Sequence, residues 1–160
     1  MKYFKIEEFR CKDGSVTPEE AKVNLTALVE NVLDPVRERY GAAIQVNSGY
    51  RTEAYNKKIG GANGSQHCCK NGSAAADVCC EDNRRLARVI VEQGKFDQLI
   101  LYPTLTMSTS DATRNSSSEH GSSSLLPRFI HVSYKRNGLN RKQVLRKTAT
   151  GYQKVDSSLI

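Results

Sequence analysis

Apolar and polar positions divide the chain into short helical and extended stretches. Thr17-Pro18-Glu19-Glu20 has the form of a helix start, with Thr17 as N-cap, Pro18 in the first turn and Glu20 placed for a capping box. Val23, Leu25, Leu28, Val29, Val32 and Leu33 then recur at helical spacing, Pro35 kinks or restarts the helix, and Gly41 ends it. Ala43 to Asn47 predicts a strand that delivers Ser48-Gly49-Tyr50-Arg51 to a loop. Thr52 to Ile59 predicts a short helix, and Gly60-Gly61-Ala62-Asn63-Gly64 a turn. Ala74 to Cys80 reads as a strand of small residues, and Asn83 to Gln93 as an amphipathic helix closed by Gly94. Two more strands, Phe96 to Leu101 and Arg128 to Tyr134, precede a short last helix at about Asn140 to Arg146.

Thr104 to Pro127 breaks this pattern, with eight serines and almost no large apolar side chain. Such a composition predicts an inserted, mobile Ser-rich loop at about 104–127, since long structureless loops are functional or disordered.

The 160 residues are enough for one domain, 1–160, with its own core, and a monomer is expected. No apolar run reaches the ~20 residues of a membrane span. The first residues alternate charge with apolar side chains and lack a secretory apolar region, so the chain is expected to be cytoplasmic as synthesised.

The formal charge of +7 is concentrated late, where Lys135, Arg136, Arg141, Lys142, Arg146, Lys147 and Lys154 occur with no acid between Tyr134 and Lys154. On electrostatics alone this tail suits nucleic acid, an acidic membrane surface or an anionic cell-wall polymer, or it is simply a solvated face. Nucleic acid is the weakest of these, because no recognition motif or interleaved aromatics accompany the charge. Five cysteines include two vicinal pairs, Cys68-Cys69 and Cys79-Cys80. Without a secretory signal they read as reduced thiols, mostly small buried hydrophobes, with thiolate ligation as the alternative.

Chemistry points to His67, Asp77 ten residues later, and His131 in the strand Phe129-Ile130-His131-Val132. Two imidazoles and a carboxylate suit zinc, and three protein ligands leave a fourth position for water, whose pKa would fall from about 15.7 towards about 7. Arg51 is the candidate for steadying a developing oxyanion. Each residue also has a plainer reading: His131 as a core histidine, Ser65 as a turn cap, Arg51 as half of a structural ion pair.

These blocks together resemble the M15 family of zinc D-Ala-D-Ala carboxypeptidases and related phage endolysins. The resemblance is carried by Tyr3 to Phe9, Val46-Asn47-Ser48-Gly49-Tyr50-Arg51, Asn56 to Gly61, Ser65-Gln66-His67 and Ala75-Ala76-Asp77. It continues through Phe96 to Ile100, Phe129 to Tyr134, and Asn140 to Arg146. It implies an α+β fold of the hedgehog/D-Ala-D-Ala peptidase group, with a small antiparallel sheet flanked by helices. It also implies zinc on His67, Asp77 and His131, Arg51 as a catalytic residue, and Ser65 and Tyr50 near the substrate. The substrate implied is a peptidoglycan stem peptide, cut by a carboxypeptidase or an endolysin-type endopeptidase acting on the bacterial cell wall after release.

Here His67 and Asp77 stand ten residues apart, where the family's usual separation is seven. Where relatives carry an acid after the F-D-Q-L-I block, this chain has Tyr102, and Arg128 and Leu126 precede His131. Glu119 and His120 are therefore the candidates for proton transfer, with Asp97 a structural residue first. A non-catalytic cell-wall or phage-structural binding module that keeps the peptidase fold is the alternative.

Overall fold

The computed structural model describes residues 1–103 and 127–160. The predicted Ser-rich loop lies outside the described residues apart from Pro127, which begins a strand. The chain forms a helical stretch, α1 Glu19–Leu28 and α2 Asp34–Tyr40, followed by β1 Gln45–Ser48 and α3 Glu53–Lys58. After these come β2 Ser73–Cys79, α4 Asn83–Gln93, β3 Gln98–Pro103, β4 Pro127–Lys135, β5 Gln143–Thr148 and β6 Gly151–Lys154. The six strands make one sheet in the order β1-β2-β4-β3-β5-β6. The α+β class expected from the sequence is the one observed.

Successive residues of a strand face opposite sides of the sheet, and that alternation separates core from site here. On one face Ala74, Ala76 and Val78 of β2, Ile130 and Val132 of β4, Leu99 and Leu101 of β3 and Val144 of β5 are buried. They join Leu25, Leu28, Val29, Leu86 and Ile90 from the helices in a single apolar cluster. Cutting any of those leucines to alanine would cost about 2–5 kcal/mol. The opposite face carries Asp77, Phe129, His131, Ile100, Tyr102, Leu145 and Lys147, all lining an open cleft of about 1110 Å³.

Three expectations need correction. The helix begins at Glu19 with Pro18 as N-cap and no side-chain cap, while the Thr17 hydroxyl is buried without a partner. Glu20 instead accepts the Asn71 main-chain N–H at 2.9 Å, so a tertiary contact replaces the capping box. Val23, predicted apolar-facing, is 42% exposed. The helix restarts at Pro35 as expected: a wider π turn at Val29–Leu33 precedes it, and Pro35 occupies the first turn of α2, where its missing N–H costs nothing. Gly41 closes α2 in the left-handed conformation (φ 80°).

The third correction concerns Asn140 to Arg146, predicted helical and found to enter β5, which pairs in parallel with β3 and then turns back into β6. The sheet is therefore mixed rather than antiparallel throughout. The free edge of β3 and the apolar pair Val144 and Leu145, both buried on opposite faces, outweigh the helix propensity of this basic stretch. All five cysteines are free thiols, Cys11 and Cys69 buried and the others half-buried. Burial pushes the Cys69 thiol up to about 12, against a main-chain hydrogen bond from Ala75, so it behaves as the small hydrophobe expected.

Candidate metal centre

Three elements converge on the cleft floor. β2 and β4 pair so that Asp77 lies directly opposite His131, and both side chains leave the same face. His67 arrives from a short 3₁₀ turn, Gln66–Cys68, capped by Ser65, whose hydroxyl accepts the His67 N–H at 3.3 Å. Cys69, left-handed at φ 51°, ends that turn. The long interval before Asp77 is taken up by a second turn, in which Asn71 (φ 54°) and Gly72 (φ 71°) are also left-handed.

The Ser48-Gly49-Tyr50-Arg51 segment positions these groups from behind. A Cβ on Gly49 would meet the Phe9 Cα at 2.6 Å, so only glycine fits, and its carbonyl accepts from His67 Nδ1 at 2.7 Å. Tyr50 bonds Phe9 through its main chain and packs into the core, outside the cleft-lining set. That placement gives it packing contacts with the core. The Arg51 N–H donates to the His67 carbonyl at 2.8 Å. Its guanidinium donates to Asp77 Oδ2 and, through Nε, to Ser48 Oγ at 3.0 Å.

What remains is a triangle of ligand atoms. His67 Nε2 lies 3.1 Å from Asp77 Oδ1 and 3.1 Å from His131 Nδ1, and His131 Nδ1 lies 3.0 Å from Asp77 Oδ1. The three residues are 3%, 7% and 7% exposed, in the order His67, Asp77, His131. The Gly49 carbonyl can only accept, so His67 Nδ1 carries a proton and Nε2 is the ring atom turned inward beside the carboxylate oxygen. Burial alone would raise the Asp77 carboxyl, but the flanking histidines hold it far below the ordinary carboxylate range. Burial lowers the His131 pKa despite the adjacent Asp77, favouring the neutral imidazole. Two imidazoles and an ionised carboxylate, with His67 fixed by Gly49 and Asp77 by Arg51, form a donor set that fits a divalent cation. No cysteine belongs to this group among the described residues.

Around the triangle the cleft wall includes Ser65, Arg51, Tyr102, Phe129, Lys135, Arg141, Lys147 and Tyr152. The Tyr102 and Phe129 rings stack at 4.4 Å, and the Tyr102 hydroxyl lies 3.4 Å from that of Tyr152. Burial and then Tyr152 push the Tyr102 phenol upward, so it holds its proton. Three cations of the basic tail, Lys135, Arg141 and Lys147, thus line the same cleft as the triangle. Glu119 and His120 lie outside the described residues.

Sequence reasoning missed the polar clasp behind His67. Gln66 Nε2 donates to Ser73 Oγ at 2.8 Å and to Asp97 Oδ2 at 3.1 Å, and Asp97 also accepts from Arg141. The available signal was Asp97 itself, an acid directly after Phe96 where a buried strand begins.

No curated protein matches this chain. Residues 2–108, more than half of its length, match the family model of Peptidase M15. The match contains Arg51, His67 and Asp77 and stops short of His131, which the sheet register alone brings beside them. The chain therefore belongs to the Peptidase M15 family.

Proposed function

We propose that the protein is a zinc metallopeptidase that hydrolyses peptide bonds in peptidoglycan stem peptides, as a D-Ala-D-Ala carboxypeptidase or an endolysin-type endopeptidase. The observation that carries this reading is the His67, Asp77 and His131 triangle on the floor of an open cleft in an M15 chain. His67 Nε2, Asp77 Oδ1 and His131 Nδ1 would hold the ion. A bound zinc supplies polarisation of a substrate carbonyl and acidification of water.

The chain's own residues do the rest. Gly49 fixes the His67 tautomer, and Arg51 holds Asp77 Oδ2 so that Oδ1 stays turned toward the histidines. Arg51 also borders the cleft, where its charge would face a substrate carbonyl or carboxylate. Ser65 borders it too, beside the turn that it caps. Lys135, Arg141 and Lys147 favour an anionic substrate, and an anionic wall polymer is a second partner for the same charges.

A second reading has one observation in its favour. Among the described cleft-lining residues the carboxylates are Asp77, turned into the triangle, and Glu53, paired with Lys70 at 2.7 Å. Neither stands unpaired beside the triangle, as a non-catalytic wall-binding or phage-structural module would show. Metal content, together with release of D-Ala or stem-peptide fragments from purified peptidoglycan, separates the two, with His67→Ala as control. Cleavage lost in the control supports the peptidase; bound zinc with no cleavage above the control supports the binding module.

A further inference from the structure

Taking the His67, Asp77 and His131 group as the metal site proposed above, we infer that Asp97 and Gln66 form a positioning relay that fixes His67 for the metal. His67 belongs to a turn of three residues, preceded by a loop whose Gly60 and Gly64 are left-handed and followed by left-handed Cys69. Main-chain bonds within the turn are local, Cys68 N–H to Ser65 and Cys69 N–H to Gln66. Such a turn has little intrinsic stiffness, since glycine loops lose the most freedom on ordering.

Beside the Arg51 and Gly49 main-chain bonds to His67, Gln66 adds a side-chain tie from the turn to the sheet. Its amide nitrogen carries two protons, and both have acceptors: Ser73 Oγ on β2 at 2.8 Å and Asp97 Oδ2 at 3.1 Å. Asp97 in turn has no freedom to yield. It is 0% exposed and accepts from Arg141 Nη2 at 2.6 Å and from the Arg141 main-chain N–H at 3.0 Å. Its own N–H donates to the Ser133 carbonyl at 2.7 Å, and its carbonyl accepts from Gln143 at 3.0 Å. The residue is thus held through its main chain between β4 and β5 and its carboxylate by Arg141 and Lys135, and the residue next to His67 is bonded to that carboxylate. Arg141 also borders the cleft, so one buried acid anchors both a cleft-wall cation and the turn that carries a ligand.

Metal affinity tests the relay without recourse to catalysis. Zinc affinity by chelator competition and the visible spectrum of the cobalt-loaded protein are measured for the wild type, Gln66→Met and Asp97→Asn. Gln66→Met keeps the side-chain length and removes both donated bonds. It is expected to weaken zinc about tenfold and shift the cobalt spectrum, as other outer-shell partners do, while the metal-free protein melts close to the wild type. A Gln66→Met protein with wild-type affinity and an unchanged cobalt spectrum would overturn the relay and leave the proposed function standing. Should Asp97→Asn fail to fold, Gln66→Met decides alone. A wild type that takes up no zinc would overturn both readings.

Discussion

The Gly49 carbonyl accepts the Nδ1 proton of His67 over 2.7 Å, so a main-chain atom sets which nitrogen of that ring faces Asp77. The same glycine sits against the Phe9 Cα, with no room for a Cβ. Gly49→Ala is therefore expected to cost about 1–3 kcal/mol by overpacking and to weaken metal binding as the carbonyl moves. Denaturant unfolding and zinc titration of the same variant check both effects.

Metal removal should lower stability by mass action, because the unfolded chain has no preformed site. At free zinc one hundredfold above the dissociation constant the stabilisation is about 2.7 kcal/mol. A thermal melt with zinc, repeated with a chelator in excess, should show the drop in the wild type and almost none in His131→Ala.

Arg51 and Asp77 form an ion pair whose side chains are 15% and 10% exposed. Removing the guanidinium leaves a buried carboxylate without its partner, which costs about 3–5 kcal/mol. Arg51→Ala should be destabilised on that scale and lose zinc affinity as well as turnover. Arg51→Lys should recover part of the stability and less of the geometry. Chemical denaturation of the metal-free proteins, followed by peptidoglycan assays of the loaded ones, distinguishes the two contributions.

Asp97 predicts an acid limb in the stability profile. Burial alone would raise its carboxyl, but the Arg141 hydrogen bonds and charge, with Gln66, hold it below the ordinary value. A depressed folded pKa contributes fully above the unfolded carboxylate value of about 3.9 and is lost as pH falls through the folded value. Asp97→Asn should be less stable than the wild type at neutral pH, and its stability should fall less steeply below about pH 4. Urea midpoints measured across that range give both slopes.

Glu119 and His120 are the residues we propose for proton transfer, the described cleft carboxylates being paired. Substituting the residue that acts, Glu119→Gln or His120→Asn, should lower kcat about 10²–10⁴-fold with zinc content unchanged. Wild-type rates in both variants would remove these two residues from the mechanism.

Much of the fold was legible because its signals are local. The apolar spacing of Leu25, Leu28, Val29, Val32 and Leu33 announced the first helical stretch, and Asn83 to Gln93 became α4 at the limits predicted. The β5 and β6 strands were not legible, because what makes Gln143 to Lys154 extended is the open edge of β3, which the tail's own residues do not encode. The site divided in the same way. His67, Asp77, His131 and Arg51 carry chemistry in their side chains and could be named from the sequence. The Gly49 carbonyl is a main-chain atom, and the Gln66 to Asp97 bond joins residues 31 positions apart, so neither leaves a mark in local composition.

Ligand and core residues are interleaved on the same strands: Asp77 lies between Ala76 and Val78, and His131 between Ile130 and Val132. The site is thus written on one parity of positions and the core on the other. A single-residue deletion within β4 ahead of His131 would change no ligand's identity, yet a one-residue slip exchanges the two faces of the strand. Imidazole would be driven into the apolar layer and isoleucine or valine into the cleft, so reading frame within the strand is as binding a constraint on this centre as the ligands themselves.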